Sequence, residues 1–289
     1  MKMNHRKDYV AVITILLMCI TTIPGILSLD FSHAYDFINQ YGQKVSIFGY
    51  GIYAYDTYFK APISIGTDIC ILFVLVPVYI YTYLKYRKGN DRISELKLIS
   101  VYAISFYYAA SIAFGVTYNQ LFLVYILIFT CTLFGMFAHI NHIQWDKAVR
   151  VTLGMKVFLI LCGAALLVAW LPDIISALIS RSTLSLIGVY TTEITYVLDM
   201  GILSPLCFCG LYLLIKRNPL GTMILAIMLK ASIIVGVMMI PQTICQIASG
   251  VDIALPVLIT KSLSFVLLGG YAFHLNHKLY KELENEEEK

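Results

Sequence analysis

Five ionisable side chains stand inside long apolar blocks or at their mouths: Asp68, Glu193, Asp199, Lys230 and Lys261. An ionised side chain at a bilayer centre costs at least about 2.5–3.5 kcal/mol on insertion scales, so such groups pair, line a wet cavity or lose their charge. Asp68 and Asp199 each fall about one turn into a block, with Glu193 just before the second. Lys230 falls about 15 Å into its block at 1.5 Å per residue, too deep to snorkel. Lys261 lies in the outer half of the last block, and Lys156 lies close enough to a block end to reach water. The pattern predicts an outward-facing polar site where the acids bind a cation or relay protons. Lys230 would supply the counter-charge, with Asp199 as first partner and Asp68 as second. The competing reading is an ion pair that only fixes helix packing.

Other chemistry is sparser. His139/His142 and His274/His277 are each three apart, on one helical face. Four imidazoles suit a transition metal, but no cysteine or acidic ligand stands near them in sequence. Histidines at helix C-termini are favoured by the helix dipole, so no metal and no cofactor is expected. The cysteines (Cys19, Cys70, Cys131, Cys162, Cys207, Cys209, Cys245) read as small apolar core residues. P-loop, GxSxG, HExxH and EF-hand patterns are missing, so no catalytic residue is assigned. No basic-aromatic surface points to nucleic acid.

The elements that must position these groups follow from composition. Of 289 residues, 59% are hydrophobic and 13% charged, against about 25% charged in a soluble domain. Apolar blocks lie near Val10–Leu29, Thr67–Tyr86, Leu98–Thr117, Leu121–Ile140, Val151–Trp170, Thr195–Ile215, Leu220–Ile240 and Ile253–Phe273. Each is about the 20 residues that cross the hydrocarbon core as helix. The expected fold is all-α, a polytopic bundle of about eight transmembrane helices in a lipid bilayer. The first block reads as a retained helix, since no small-residue cleavage site follows a short core.

Orientation follows from the cations between blocks. Lys2, Arg6, Lys7, Lys85, Arg87, Lys88, Arg92, Lys97, Lys147, Arg150, Lys216, Arg217, Lys278, Lys281 and Lys289 fall on one side, and only Lys44, Lys60 and Arg181 on the other. The first side reads as cytoplasmic, with both termini. The long outer connection 30–66 contains VSIFGYGIYAYDTY over Val45–Tyr58, which suits a short β-like hairpin or irregular cap. His277–Lys289 reads as a helix-prone, solvated tail.

The halves also resemble each other. Gly51–Asp56 and Gly188–Glu193 precede the second and sixth blocks, and Asp68–Leu72 and Asp199–Leu203 open them. Ala110–Val116 matches Ala231–Val237, and His139–His142 matches His274–His277. Those landmarks predict a 4+4 parallel tandem repeat, residues 1–150 and 151–289, of the kind that builds some transporters. Lys230 aligns with Ala109 and breaks the symmetry. Pro77 and Pro205 lie just inward of the two aspartates, and each frees a backbone carbonyl.

The run GYGIYAYDTYFKAPISIGTD, the segment Tyr118–Tyr125, and LDMGILSP followed by KRNPLG resemble a group of uncharacterised bacterial multi-spanning membrane proteins. The resemblance covers about Val45 to Ile240. It implies a bacterial plasma-membrane setting and carries no activity or site residues. Lys216–Gly221 departs mildly from that group's Arg-Arg-x-Pro-x-Gly turn. The expected function is binding or transport of a small polar solute or ion at Asp68, Glu193, Asp199, Lys230 and Lys261. Two other classes stay open: a membrane sensor or assembly protein, and a membrane enzyme acting on a lipid or lipid-linked substrate.

Overall fold

The computed structural model describes residues 8–89, 91–251 and 255–287, with the side chains of 255–257, 260–261 and 286–287 outside that set. Among the described residues the apolar blocks form eight long helices. They are α1 (Tyr9–Leu27), α2 (Lys60–Gly89), α3 (Arg92–Gly115), α4 (Phe122–His142), α5 (Leu153–Ser180), α6 (Ile194–Ile215), α7 (Pro219–Ser249) and α8 (Leu255–Glu287). The first seven are long and apolar enough to cross a membrane.

Helix ends are set by side chains that satisfy the orphan amides of a first turn. The Ala11 amide donates to Asp8 Oδ1 (3.0 Å), Ser94 to Asp91 (2.7 Å), Met155 to Thr152 (3.3 Å) and Leu220 to Asn218 (2.9 Å). α2 begins at Lys60, well before Thr67, so Asp68 lies more than two turns inside it. α5 continues past Trp170, taking Asp173 into helix, and α8 absorbs most of the charged tail. An apolar pattern marks only the hydrocarbon-facing part of a helix, whose polar ends stay helical beyond it.

Two helices carry a widened turn at the same point relative to a proline. In α2 the Val76 amide donates to the Ile71 carbonyl, and in α6 the Ser204 amide donates to the Asp199 carbonyl, one residue further back than in an α-helix. Pro77 and Pro205 follow immediately. A proline ring clashes with the carbonyl four residues back, and the extra residue in a π-type turn relieves that clash. Measured from its proline, Asp68 lies one turn further out than Asp199, which opens its own π turn.

The hairpin lies upstream of where the sequence places it. Strands β1 (Tyr35–Ile38) and β2 (Lys44–Ile47) pair antiparallel, Tyr35 opposite Ile47, while Gly51–Tyr53 forms a 3₁₀ turn. The reversal is coded by Asn39, whose side-chain oxygen accepts from the Tyr41 and Gln43 amides, and by Gly42 at φ +75°. Asn39 and Gln40 donate to the carbonyls of Gly188 and Tyr190, tying the hairpin to the 181–193 connection. This is the hairpin end of the bundle. Asp8 and residues 143–152 and 216–218 mark the opposite, basic end.

The helices pack as two closed rings. In the first, α1 touches α2, α2 touches α3, α3 touches α4, and α4 returns to α1. The same order holds for α5, α6, α7 and α8. One buried cluster fills the first ring around Leu75, Tyr79, Tyr108 and Ile128, and another fills the second around Phe158, Cys207, Leu225 and Leu275. The rings meet where α2 and α3 pack on α7, and where α3 reaches the start of α6.

Candidate functional site

Asp68 is 1% exposed and accepts hydrogen bonds from two phenols. Tyr53, from the 3₁₀ turn, donates to Oδ2 at 2.6 Å, and Tyr108 of α3 donates to Oδ1 at 3.0 Å. Behind Tyr108 stands Thr21 of α1, 3.2 Å from its hydroxyl. Gly25 of α1 makes the room: a Cβ there would sit 1.7 Å from Asp68 Oδ2. Among the described residues no cation pairs with Asp68. A buried carboxylate with only neutral donors does not hold its charge without cost.

Asp199 has a comparable but separate set of donors. Tyr107 donates to Oδ1 and the Trp170 indole to Oδ2, both at 2.8 Å. Trp170 stacks on Tyr196 with ring centroids 4.7 Å apart, and Tyr196 donates to Asp173 at 2.8 Å. Tyr107 and Tyr108 are neighbours in α3, so they leave the helix about 100° apart. One therefore reaches the second ring and the other stays inside the first.

Glu193 joins neither aspartate. It forms an ion pair with Lys60 at 2.7 Å, and Lys60 lies over the Tyr190 ring, 3.9 Å from its centroid. Tyr190 in turn donates to Asp56 Oδ1 at 2.8 Å, beside a bond from the Thr117 amide at 2.9 Å. Asp56 Oδ2 and the Thr117 hydroxyl are buried without a hydrogen-bond partner. Burial pushes the Asp56 carboxyl up to about 6, and the Thr117 and Tyr190 bonds and the Lys60 charge only partly oppose it.

The folded protein therefore binds this proton more tightly than the unfolded chain does. The stabilisation is complete below about pH 4 and is lost as pH rises through about 6. The difference amounts to about 3 kcal/mol. Asp56→Asn keeps the Oδ1 acceptor and removes the titration. Its thermal midpoint in detergent is expected to stay flat where the wild type falls, between about pH 4 and about pH 7. An unchanged slope in the variant would assign the pH dependence elsewhere.

The predicted partnership of Lys230 is corrected by the structure. Lys230 makes no hydrogen bond or ion pair among the described residues, and the charge acting on it is Lys97 of α3, near the basic end. Asp199 sits about 8 Å into α6 from the hairpin end, whereas Lys230 sits about 16 Å into α7 from the basic end. The two side chains face different levels of the bundle. The Lys261 side chain lies outside the described residues. Among the described residues Asp68, Glu193 and Asp199 thus belong to three separate groups, and none of them pairs with Lys230.

The histidine pairs are not equivalent. His274 and His277 are exposed at the basic end. His139 is 8% exposed and lies between two carboxylates, with Nδ1 2.8 Å from Glu95 and Nε2 2.9 Å from Asp8. His142 Nδ1 lies 2.9 Å from the same Glu95 oxygen. Among the described residues no group of His, Cys, Asp and Glu is arranged to hold a metal ion. Sequence reasoning missed Glu95 and Asp8 as partners, together with Tyr53, Tyr107, Tyr108 and Trp170. The available signal was the rule that a carboxylate in an apolar block needs donors, applied to 21 tyrosines.

Two cavities lie elsewhere. One of about 30 Å³ is apolar, between Cys162, Leu203, Ser232 and Phe265. The other, an open groove of about 670 Å³, runs at the basic end between Phe137, Gln144 and Leu220. The chain matches no protein-family model, no curated protein and no solved structure.

Proposed function

We propose that this integral membrane protein binds a small cation or polar solute from the hairpin end and exchanges it against protons at Asp68. The carrying observation is a buried intramembrane carboxylate held by two phenols and paired with no cation among the described residues. Such a group changes its charge whenever a ligand or proton arrives, which is the elementary event of coupled transport. Asp199, with Tyr107 and Trp170, is the related group of the second ring. The matched helix order in the two rings, and the paired π turns before Pro77 and Pro205, support a tandem repeat of residues 1–150 and 151–289 with α8 as an eighth span. The excess of cations at the basic end supports a cytoplasmic position for that end and both termini. The resemblance to bacterial multi-spanning proteins supports a plasma-membrane setting.

A hydrophobic carbodiimide, which reacts with protonated carboxyls in apolar surroundings, tests this directly. Mass spectrometry on right-side-out vesicles should find Asp68 modified, less so as pH rises, and protected by external sodium or lithium. Modification that ignores both pH and cation would refute the reading. Protection only from inside would reverse the orientation.

One observation favours a sensor or assembly role instead. Tyr35, Phe37, Ile38 and Tyr41 leave a large apolar and aromatic strip exposed on the hairpin, the kind of surface that meets partners. Carbodiimide insensitivity of Asp68 together with hairpin-dependent co-purification of a second protein would select that role.

A further inference from the structure

The first ring holds a second titratable cluster, and it lies at the opposite end from the proposed ligand entry. Asp8, Glu95, His139 and His142 come from the start of α1, the start of α3 and the end of α4. His139 has both ring nitrogens against carboxylates, Glu95 at 2.8 Å and Asp8 at 2.9 Å. A neutral imidazole donates from one nitrogen only, so this trio always shares one proton beyond its neutral-ring, two-carboxylate count. Tyr102 of α3 donates to Asp8 Oδ2 at 2.9 Å, and Tyr86 of α2 packs edge-on against the His139 ring at 5.3 Å. Burial alone would raise the Asp8 carboxyl, but the bonds from His139, Ala11 and Tyr102 outweigh it and hold Asp8 below the usual carboxylate range. His142 is 43% exposed and opens the cluster to solvent.

The cluster points along α3 to Asp68. Tyr102, Ser105 and Tyr108 follow at three-residue spacing and are all buried. Tyr102 bonds the basic-end cluster, and Tyr108 bonds Asp68. Six residues of helix separate them, about 9 Å, and the Ser105 hydroxyl within that stretch donates to the Val101 carbonyl at 2.8 Å. Tyr79 of α2 is fully buried and packs against Tyr102 with ring centroids 5.3 Å apart.

We propose that Asp8, Glu95, His139 and His142 form the proton-exchange site of the basic end, connected through Tyr102, Ser105 and Tyr108 to Asp68. This rests on the reading of Asp68 as an exchanging carboxylate and names its coupling ion and the port through which that ion passes. A proton from water enters on His142 and passes to Glu95. Glu95 protonates His139 at Nδ1, and His139 releases its Nε2 proton to Asp8. Each hydroxyl of Tyr102, Ser105 and Tyr108 then accepts one proton as it gives one up, Tyr102 turning away from Asp8 and Ser105 away from the Val101 carbonyl to do so. The net change is one proton taken from basic-end water and one carboxylate, Asp68, neutralised. The reverse order returns it.

The test uses full-length protein in sealed vesicles of known orientation, with pH set separately on each side and carbodiimide modification of Asp68 as readout. Lowering the basic-side pH by one unit should raise the modification rate by up to about tenfold in the wild type. His139→Gln should abolish that response while leaving the response to hairpin-side pH. Tyr102→Phe and Ser105→Ala keep the packing and remove one hydroxyl each, and each should slow the basic-side response at least threefold. These two decide the matter if His139→Gln does not fold. A wild type that answers hairpin-side pH alone overturns the port and leaves the Asp68 reading intact. Unaltered responses in all three variants also overturn it. Modification insensitive to pH on both sides instead removes the Asp68 reading itself.

Discussion

Gly25→Ala is expected to destabilise the first ring by about 2–4 kcal/mol, and Asp68→Ala is expected to rescue it. The added Cβ would meet Asp68 Oδ2 at 1.7 Å and Asp68 Cγ at 2.8 Å, with the Tyr53 hydroxyl 3.3 Å away. The obstacle is a side chain, but it is one held at both oxygens by Tyr53 and Tyr108. Overpacking of a filled core costs about 1–3 kcal/mol. Interhelical side-chain hydrogen bonds in membranes average only about 0.6 kcal/mol, so the steric part dominates. Removing the carboxylate removes the clash. The double variant should therefore be no less stable than Asp68→Ala alone, giving a coupling of about 2 kcal/mol between two residues in contact. Thermal unfolding of the four proteins in detergent measures it. Additive losses would mean that α1 and α2 do not meet at this point.

The helices were legible because a bilayer demands about 20 apolar residues per crossing, and nothing else in this chain competes with that pattern. The aspartates were legible as anomalies within the pattern. Their partners were not. Nothing in the sequence marks Tyr53, Tyr107 and Tyr108 until folding brings their hydroxyls to carboxylates from other elements. Lys60 counted as one cation of an outer connection, although it is the partner of Glu193. The pairing of Lys230 with Asp199 rested on their blocks being consecutive, which makes the helices neighbours without putting the two side chains at one level. α2 and α7 both extend well beyond their apolar blocks, and each aspartate stands at a different distance from its π turn, so block edges were poor rulers.

Asp8 was hidden for a related reason. It precedes the first apolar block and carries no periodic signal, yet it caps α1 and bonds His139 across the ring. The sequence shows His139 and His274 in matching Hxx-His contexts, and only packing separates them. Glu95 and Asp8 face the first, while the second is exposed. Two matching sequence motifs can thus differ in chemistry because only one of them meets partners that give it a role.

Gly66→Ala is expected to destabilise the protein more than Gly25→Ala, because its added methyl meets backbone and not a side chain. Its Cβ would lie 2.4 Å from the Gln242 Cα, 2.5 Å from the Gln242 nitrogen and 2.7 Å from the Pro241 carbonyl carbon. Those atoms are backbone of α7, and no rotamer change moves them. The helices themselves must part, along the joint where α2 of the first ring packs on α7 of the second. The adjoining bond from Gln242 Nε2 to the Thr67 hydroxyl, 2.7 Å, would be lost with it. A loss above about 3 kcal/mol follows, at the upper end of overpacking costs. Gly201→Ala is the control: nothing lies within 4 Å of its Cβ, and alanine is favoured over glycine in a helix by up to about 1 kcal/mol. Because Asp68 follows Gly66 by half a turn, parting α2 from α7 also shifts the carboxylate against Tyr108. Gly66→Ala should therefore change carbodiimide modification of Asp68, and Gly201→Ala should not. Equal thermal midpoints for the two variants would show that the rings do not meet at Gly66, and the route from the second ring to Asp68 would have to run through α3 alone.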